Sequence, residues 1–259
     1  MDLGISGRKA IVCASSRGLG RGAAFALAEA GCDVTLNGRD RESLEATRAE
    51  IAARHAVRVT AVAADVGTRE GQAALLAACP DPDILINNNG GPPRRDFHDL
   101  DREKILAGVV QNMVTPIELI QAVIDKMAER RFGRIVNITS FSVLMPIPGL
   151  DVSSGARAGL TAFLAGVARQ VADRNVTINN ALPGRMDTER LRSGFRAEAA
   201  KTGASADDLA AHSAAGVPAK RFGNAEEFGA VCAFLCSAQA GYITGQNILV
   251  DGGLFPGAF

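Results

Sequence analysis

Charge of either sign is not in excess in this chain: Lys+Arg and Asp+Glu both number 28, giving a formal net charge of zero. A nucleic-acid-binding surface normally declares itself as a basic surplus, so nucleic acid is not an expected partner. No polybasic stretch offers a handle for an anionic membrane either. Histidine and cysteine are too scattered for a metal centre. The histidines are His55, His98 and His212, and the cysteines Cys13, Cys32, Cys79, Cys232 and Cys236 form no Cys-x-x-Cys pair. Only Cys232 and Cys236 would share a helix face, which is too few ligands for a site. Buried reduced thiols are expected, and they suit a reducing cytoplasm. The N-terminus lacks a basic segment followed by an apolar one, so no signal peptide is expected. Nor does any apolar run approach the length of a transmembrane helix. A small-molecule substrate is the expected partner.

What is present is an alternation. Short β-rich runs are Lys9–Ala14, Asp33–Asn37, Val57–Ala64, Asp83–Asn87, Arg134–Thr139, Val176–Ala181 and Asn247–Val250. Between them lie segments of helical character: Gly18–Ala30, Arg41–His55, Asp101–Arg131, Gly155–Arg174 and Glu226–Ser237. Strands alternating with helices imply right-handed βαβ units and one parallel sheet. The strand runs are nearly all apolar, as strands covered on both faces are. No linker or composition break divides the chain, so residues 1–259 are expected to form a single dinucleotide-binding domain of the α/β, Rossmann type. The alternation fails only over Arg185–Val217, which is polar and Ala-rich. A segment inserted there can form a lid over the substrate.

The first strand runs into Ser15-Ser16-Arg17-Gly18-Leu19-Gly20, and a helix follows. Glycines at a strand-to-helix turn let a pyrophosphate approach the backbone, and the helix N-terminus supplies free N–H groups and a positive dipole end. The second strand ends Asn37-Gly38-Arg39-Asp40. A carboxylate at that strand end would bind the ribose hydroxyls of NAD. Gly38 stands about where it would be, and Arg39 and Arg17 can pair with a 2′-phosphate. NADP is therefore the expected cofactor. Asp40 keeps NAD open as the alternative, because a shift of two residues would supply an acid.

Further pieces fall in a recognisable order. They are Asp65-Val66, Asn87-Asn88-Asn89-Gly90, Asn112, Ser140, Pro183-Gly184 with Thr188 four residues on, and a C-terminal stretch from Tyr242 to Gly253. In this order the set resembles the short-chain dehydrogenase/reductase family, from about Leu3 to Gly253. The resemblance implies a doubly wound, seven-stranded, mainly parallel sheet with helices on both faces. The cofactor would lie across the carboxyl ends of the strands. Asp65 and Val66 would flank the adenine, Asn88 and Gly90 would line the cleft, and Pro183, Gly184 and Thr188 would hold the nicotinamide end. A homotetramer or homodimer is implied, with the last strand and the late helices in the interface.

The family works with an Asn, a Ser, a Tyr and a Lys four residues after the Tyr. Asn112 and Ser140 match the first two by position. Thirteen residues beyond Ser140 stands Ser153, and four further on stands Arg157. Tyr242 is the only tyrosine in the chain, so no shift restores the pair. A phenol, with a pKa of about 10, can be brought towards neutrality by a nearby cation. A serine hydroxyl is a weaker acid and needs a partner base. Arg157 can serve as a fixed cation and ribose donor but cannot shuttle a proton. Cys13-Ala14 also stands where the family has Thr-Gly, and Asn89 where it has Ala.

Three readings follow. In the first, hydride transfer persists: Ser140 and Ser153 orient the substrate oxygen, Arg157 stabilises its charge, and the proton comes through water or through Asp151 or His98. In the second, the fold binds NADP without turnover, as a sensor or an inactive oligomer partner. In the third, the cleft runs a dehydration or isomerisation. The first is favoured, because Asn112 and Ser140 have no stated use in a pure binding module.

Overall fold

The computed structural model describes residues 2–257. Seven strands form one sheet: β1 (Lys9–Val12), β2 (Asp33–Gly38), β3 (Val59–Ala63), β4 (Ile84–Asn87), β5 (Gly133–Ile138), β6 (Val176–Pro183) and β7 (Asn247–Val250). Their order is β3-β2-β1-β4-β5-β6-β7, and every pairing is parallel. The chain winds outward from β1 to β3, returns to β4 and winds the other way. This reversal opens a crevice at the carboxyl ends of β1 and β4, where such sheets bind ligands.

Period-two alternation assigns each strand residue to a face. Ala10, Val12, Val34, Ile84 and Ile86 belong to one core, with Leu27 of α1 (Gly18–Glu29) and Phe228 of α9 (Ala225–Leu235). Ile11, Leu85, Ile135 and Ile178 belong to the other, with Leu119 and Val123 of α5 (Thr115–Glu129) and Leu160 of α6 (Asp151–Val171). Both faces are covered, which is why these strands read as unbroken apolar runs.

The remaining helices begin where a side chain satisfies an otherwise free N–H. Asp40 caps α2 (Arg41–Arg54), Thr68 caps α3 (Arg69–Ala78), and Asp101 caps α4 (Arg102–Val109). Helix α3 was not expected from the sequence. Its Thr68 cap and Glu70 in the first turn were the available signals.

Three expectations need correction. The long helical stretch is not one regular helix: a π-turn at Val110–Val114 joins α4 to α5 and carries Asn112. The combined run 102–129 is also long enough, and over its most apolar 18 residues, with a mean hydropathy of 1.3, apolar enough, to pass by composition as a membrane span. Its inner face, with Leu119, Ile120 and Val123, packs in the protein core instead. Lastly, α6 starts four residues before Gly155, so Ser153 falls in its first turn.

Candidate active site

Strand β1 stops at Val12, and Ala14 takes a left-handed conformation, φ 45°, where an L side chain is strained. That turn lets α1 start directly above the sheet. Its N-cap, Arg17, offers no side-chain acceptor, and no acid occupies the first turn. This helix N-terminus is left without an internal acceptor for its free amides, as an anion site requires. A Cβ on Gly20 would lie 2.4 Å from the Ala14 carbonyl oxygen, so only glycine allows this approach. Across the cleft, Thr188 Cγ2 faces Gly18.

Ser15 does not face the cleft as expected. It is fully buried, its hydroxyl donates to the Val12 carbonyl at 2.8 Å, and it accepts from the Asn37 N–H at 3.0 Å. It ties β1 to β2. Leu19 packs in part against the core. Ser16 receives the Thr47 hydroxyl at its carbonyl, 2.9 Å away.

At the end of β2 no acid is free. Gly38 packs under Ser16. Asp40 is engaged as the α2 cap, accepting the Ser43 N–H at 2.8 Å. Hydrogen bonds from Ser43, with the Arg17 charge adding to them, hold its carboxyl below the usual range. Arg39 is exposed and reaches only to 3.9 Å from the Asp65 carboxylate. Arg39 and Arg17, whose charge acts on Asp40, thus stand near this strand end with no close ion-pair partner among the described residues. Val66, by contrast, turns its side chain into the core, so any contact it makes with an adenine comes from its backbone.

Asn87 at the end of β4 and the two asparagines that follow it each anchor something different. Asn88 Nδ2 donates to the Ala14 carbonyl at 3.2 Å, and Asn89 Nδ2 donates to the Gln111 carbonyl at 3.0 Å. Asn112 Nδ2 points back to the Gly90 carbonyl at 3.4 Å. Gln111 lies in the π-turn, where backbone carbonyls lose their regular partners. Asn89, which departs from the family pattern, therefore has a structural use there. Asn87 heads an amide ladder across four strands: Asn87 to Asn137 at 3.0 Å, Asn137 to Asn180 at 3.0 Å, and Asn180 to Asn247 at 2.9 Å.

The ladder ends at a cavity of about 20 Å³, lined among others by Asn87, Asn112, Thr115, Asn137 and Arg157. Asn87 Oδ1, Asn112 Oδ1 and Thr115 Oγ1 are buried without a protein partner. A volume of roughly 10–15 Å³ accepts one water, given polar walls, and this chamber meets both conditions.

Two of the residues expected to carry the chemistry are bonded to each other on α6. Ser153 and Arg157 lie one turn apart on α6, and both are buried. Arg157 donates from Nε to Ser153 Oγ at 3.2 Å, from Nη1 to the Ile138 carbonyl at 2.8 Å, and from Nη2 to the Asn89 carbonyl at 3.4 Å. Among the described residues it has no carboxylate partner. Burial first, and then the Arg190 charge, push its pKa down to about 10. Ser140 follows β5 and is half-buried, and its hydroxyl accepts the Ser142 N–H at 3.1 Å. Asp151 opens α6 and, with Ser153, lines a second cavity of about 20 Å³. His98 sits in an exposed turn against Phe97 and lines neither cavity.

The 185–217 segment, expected as a candidate lid, contains a helix pair, α7 (Glu189–Thr202) and α8 (Ala206–Ala215). Thr188 caps α7, and α7 buries none of its residues. Arg185 Nη1 ties the pair together by donating to the Ser213 carbonyl at 3.1 Å. Gly184 answers to packing: a Cβ there would lie 2.5 Å from Asp251 Cβ. Pro183 closes β6 beside it. Arg190 was not singled out in the sequence, yet it spans the cleft from α7 to the Gly91 and Pro92 carbonyls, 3.3 Å each.

Residues 13–255 match a family model described as Enoyl-(Acyl carrier protein) reductase. The chain is 32% identical over 254 residues to the NADPH-dependent reductase BacG of Bacillus subtilis, covering 96% of this chain and 98% of that one. It is 32% identical over 262 residues to the 3-oxoacyl-[acyl-carrier-protein] reductase FabG of Aquifex aeolicus, covering 98% and 100%. Among solved structures, L-sorbose reductase from Gluconobacter frateurii, complexed with NADPH and L-sorbose, superposes with a TM-score of 0.94 at 27% identity, covering 99% of this chain and 100% of that one.

Proposed function

The chain belongs to the short-chain dehydrogenase/reductase family, and from that membership we propose that it is an NADP(H)-dependent oxidoreductase of carbonyl or alcohol substrates. Its chemical residues are Asn112, Ser140, Ser153 and Arg157, with Ser153 and Arg157 in place of the family's Tyr–Lys pair. The observation that carries the cofactor reading is the uncapped N-terminus of α1, with no acid in its first turn. It offers the amides around Gly18, Leu19 and Gly20 to a pyrophosphate, with Thr188 opposite. NADP is favoured over NAD because Asp40 is engaged as a helix cap while Arg17 and Arg39 remain for a 2′-phosphate. The named relatives that use NADPH agree with this.

When bound, the reduced cofactor supplies a hydride to the carbonyl carbon. The protein's part is to hold the oxygen. Ser140 and Ser153 hydroxyls orient it, and Arg157 favours the negative charge that develops there. Because Ser153 Oγ accepts from Arg157, its own proton is free to point at substrate, and the Arg157 bond strengthens it as a donor. A serine hydroxyl does not give up a proton near neutrality, so the final proton comes from water. The chamber beside Asn112 is where such a water can be held.

Helices α7 and α8 serve as the substrate lid in this reading, since Arg190 reaches from them across the cleft. A homo-oligomer fits the exposed Ile105, Leu106, Val110 and Val114 on one helical run and Phe163 on adjacent α6, with fully exposed Tyr242 beside the β7 edge. Five buried free thiols suit a reducing cytoplasm.

The test is NADPH oxidation across a panel of ketones, aldehydes and oxo acids, with Ser140→Ala as control. The expected outcome is turnover of some member, lowered about a hundredfold in the variant. Intact NADPH binding with no oxidation across the panel would instead favour the second reading, a non-catalytic NADP-binding module. The feature on its side is that three of Arg157's N–H bonds already point at protein acceptors.

A further inference from the structure

We propose that the substrate carries a permanent oxyanion, a carboxylate or phosphate, held at the mouth of the cleft by Arg190 together with Arg94. The proposal rests on the carbonyl-reductase reading above and names the substrate class of that same site.

The charges are arranged as an unfilled anion site. Arg190 is the second residue of α7 and makes only two long hydrogen bonds, 3.3 Å each, to the Gly91 and Pro92 carbonyls. A Cβ on Gly91 would lie 2.8 Å from its Nη2, so a side chain there would make the guanidinium shift. Arg94 follows on the same loop, held out by Pro92 and Pro93, whose rings fix φ. The residue Arg190 is exposed as a whole, but its head group lies against the loop. That desolvation, and then the Arg94 charge, lower its pKa. Arg190 in turn bears on buried Arg157. Arg190 thus feels the charge of Arg94 and acts on Arg157, and among the described residues none of the three has a carboxylate within 4.0 Å.

The contrast within α7 is informative. Arg192 pairs with Asp187 at 2.7 Å and Arg196 pairs with Glu189, both exposed. Arg190, which faces the cleft, has no acid. Like charges brought together without a counter-ion oppose folding, and they are kept where function uses them. A guanidinium fork matches the two oxygens of a carboxylate or phosphate, and its present weak carbonyl contacts are easily exchanged. Arg157 would then meet the reacting oxygen, and Arg190 with Arg94 the fixed charge. The competing anion is the cofactor pyrophosphate, because Arg190 lies two residues after Thr188.

Calorimetric titration of the NADP+-saturated protein separates these. The probes are acetoacetate and 2-oxobutanoate, each against its methyl ester, and dihydroxyacetone phosphate against dihydroxyacetone. At least one anion is expected to bind about tenfold more tightly than its neutral counterpart. Arg190→Gln should erase that preference with NADPH affinity unchanged, and Gly91→Ala, which keeps the charge but displaces it, should reduce it. Preference in the carboxylate pairs or in the phosphate pair tells the two sources apart. Equal binding of every anion and its neutral partner overturns the proposal. So does an Arg190→Gln variant that loses NADPH affinity and leaves anion preference intact, which would assign Arg190 to the pyrophosphate. Selective anion binding without NADPH oxidation would sink the reductase reading alone. Equal rates of NADPH oxidation with the esters and with the acids would sink the anion proposal alone.

Discussion

The Nε–H of Arg157 donates to Ser153 Oγ across 3.2 Å, one turn back along α6. The two residues that replace a Tyr–Lys pair are thus bonded to each other. That bond fixes which way each can work. Ser153 keeps its proton for a substrate, while Arg157 stays charged and is anchored to the ends of β4 and β5 through Asn89 and Ile138.

The pair should be silent to pH near neutrality. Burial lowers the pKa of Arg157 well below its ordinary value, to about 10 in the folded protein. A cation lowered in the folded state leaves stability flat below about 10 and raises it only above that, where the unfolded chain binds more protons. Arg157→Lys should behave differently. The same desolvation acting on a lysine, whose ordinary pKa is about 10.4, would bring its titration to roughly 8. The variant should therefore gain stability relative to the parent as pH rises from about 8 to 10. Thermal unfolding across that range checks it, and parallel curves for the two proteins would refute it.

Arg39 should distinguish the two nicotinamide cofactors. It is exposed and only 3.9 Å from Asp65, too long a contact to hold it firmly. Arg39→Ala is expected to weaken NADPH binding about tenfold, through loss of a charge-assisted contact, with little effect on NADH. Calorimetric titration with both cofactors measures the ratio. An equal loss for both would remove Arg39 from the 2′-phosphate.

Ala14 should be a removable source of strain. Its φ of 45° is a conformation that glycine adopts freely. Ala14→Gly is expected to stabilise the protein by about 0.5–1 kcal/mol, the relief of a left-handed alanine less the added freedom of the unfolded chain. Urea unfolding gives the number. An unchanged or lower midpoint would mean the turn tolerates the Cβ without strain.

Much of the fold was legible because its physics is local. Ala10 and Val12 against Ile11, or Ile84 and Ile86 against Leu85, declare two buried faces by alternation alone. Caps such as Asp101 and Thr68 carry a local signal as well, although Thr68 and the helix α3 it starts were not read from the sequence. The Gly18–Gly20 turn was legible because few residues fit so close to a backbone. The π-turn at Asn112 was not legible, since no local pattern distinguishes it from regular helix. Helices α7 and α8 were hidden by composition, because α7 buries nothing and so shows no apolar stripe.

The sequence by itself determined the sheet, the chain's winding about it, and the loss of the Tyr–Lys pair, since Tyr242 is the sole tyrosine. Those facts depend on spacing and residue identity, which a linear chain carries. Only the tertiary structure decided where each polar group points. It buried Ser15 between β1 and β2, assigned Asp40 to a helix end, turned Arg157 inward onto two strand-end loops, and left Arg190 over the cleft without an acid. A hydrogen bond or an uncompensated charge is a relation between residues distant in sequence, and only folding brings the partners together or keeps them apart.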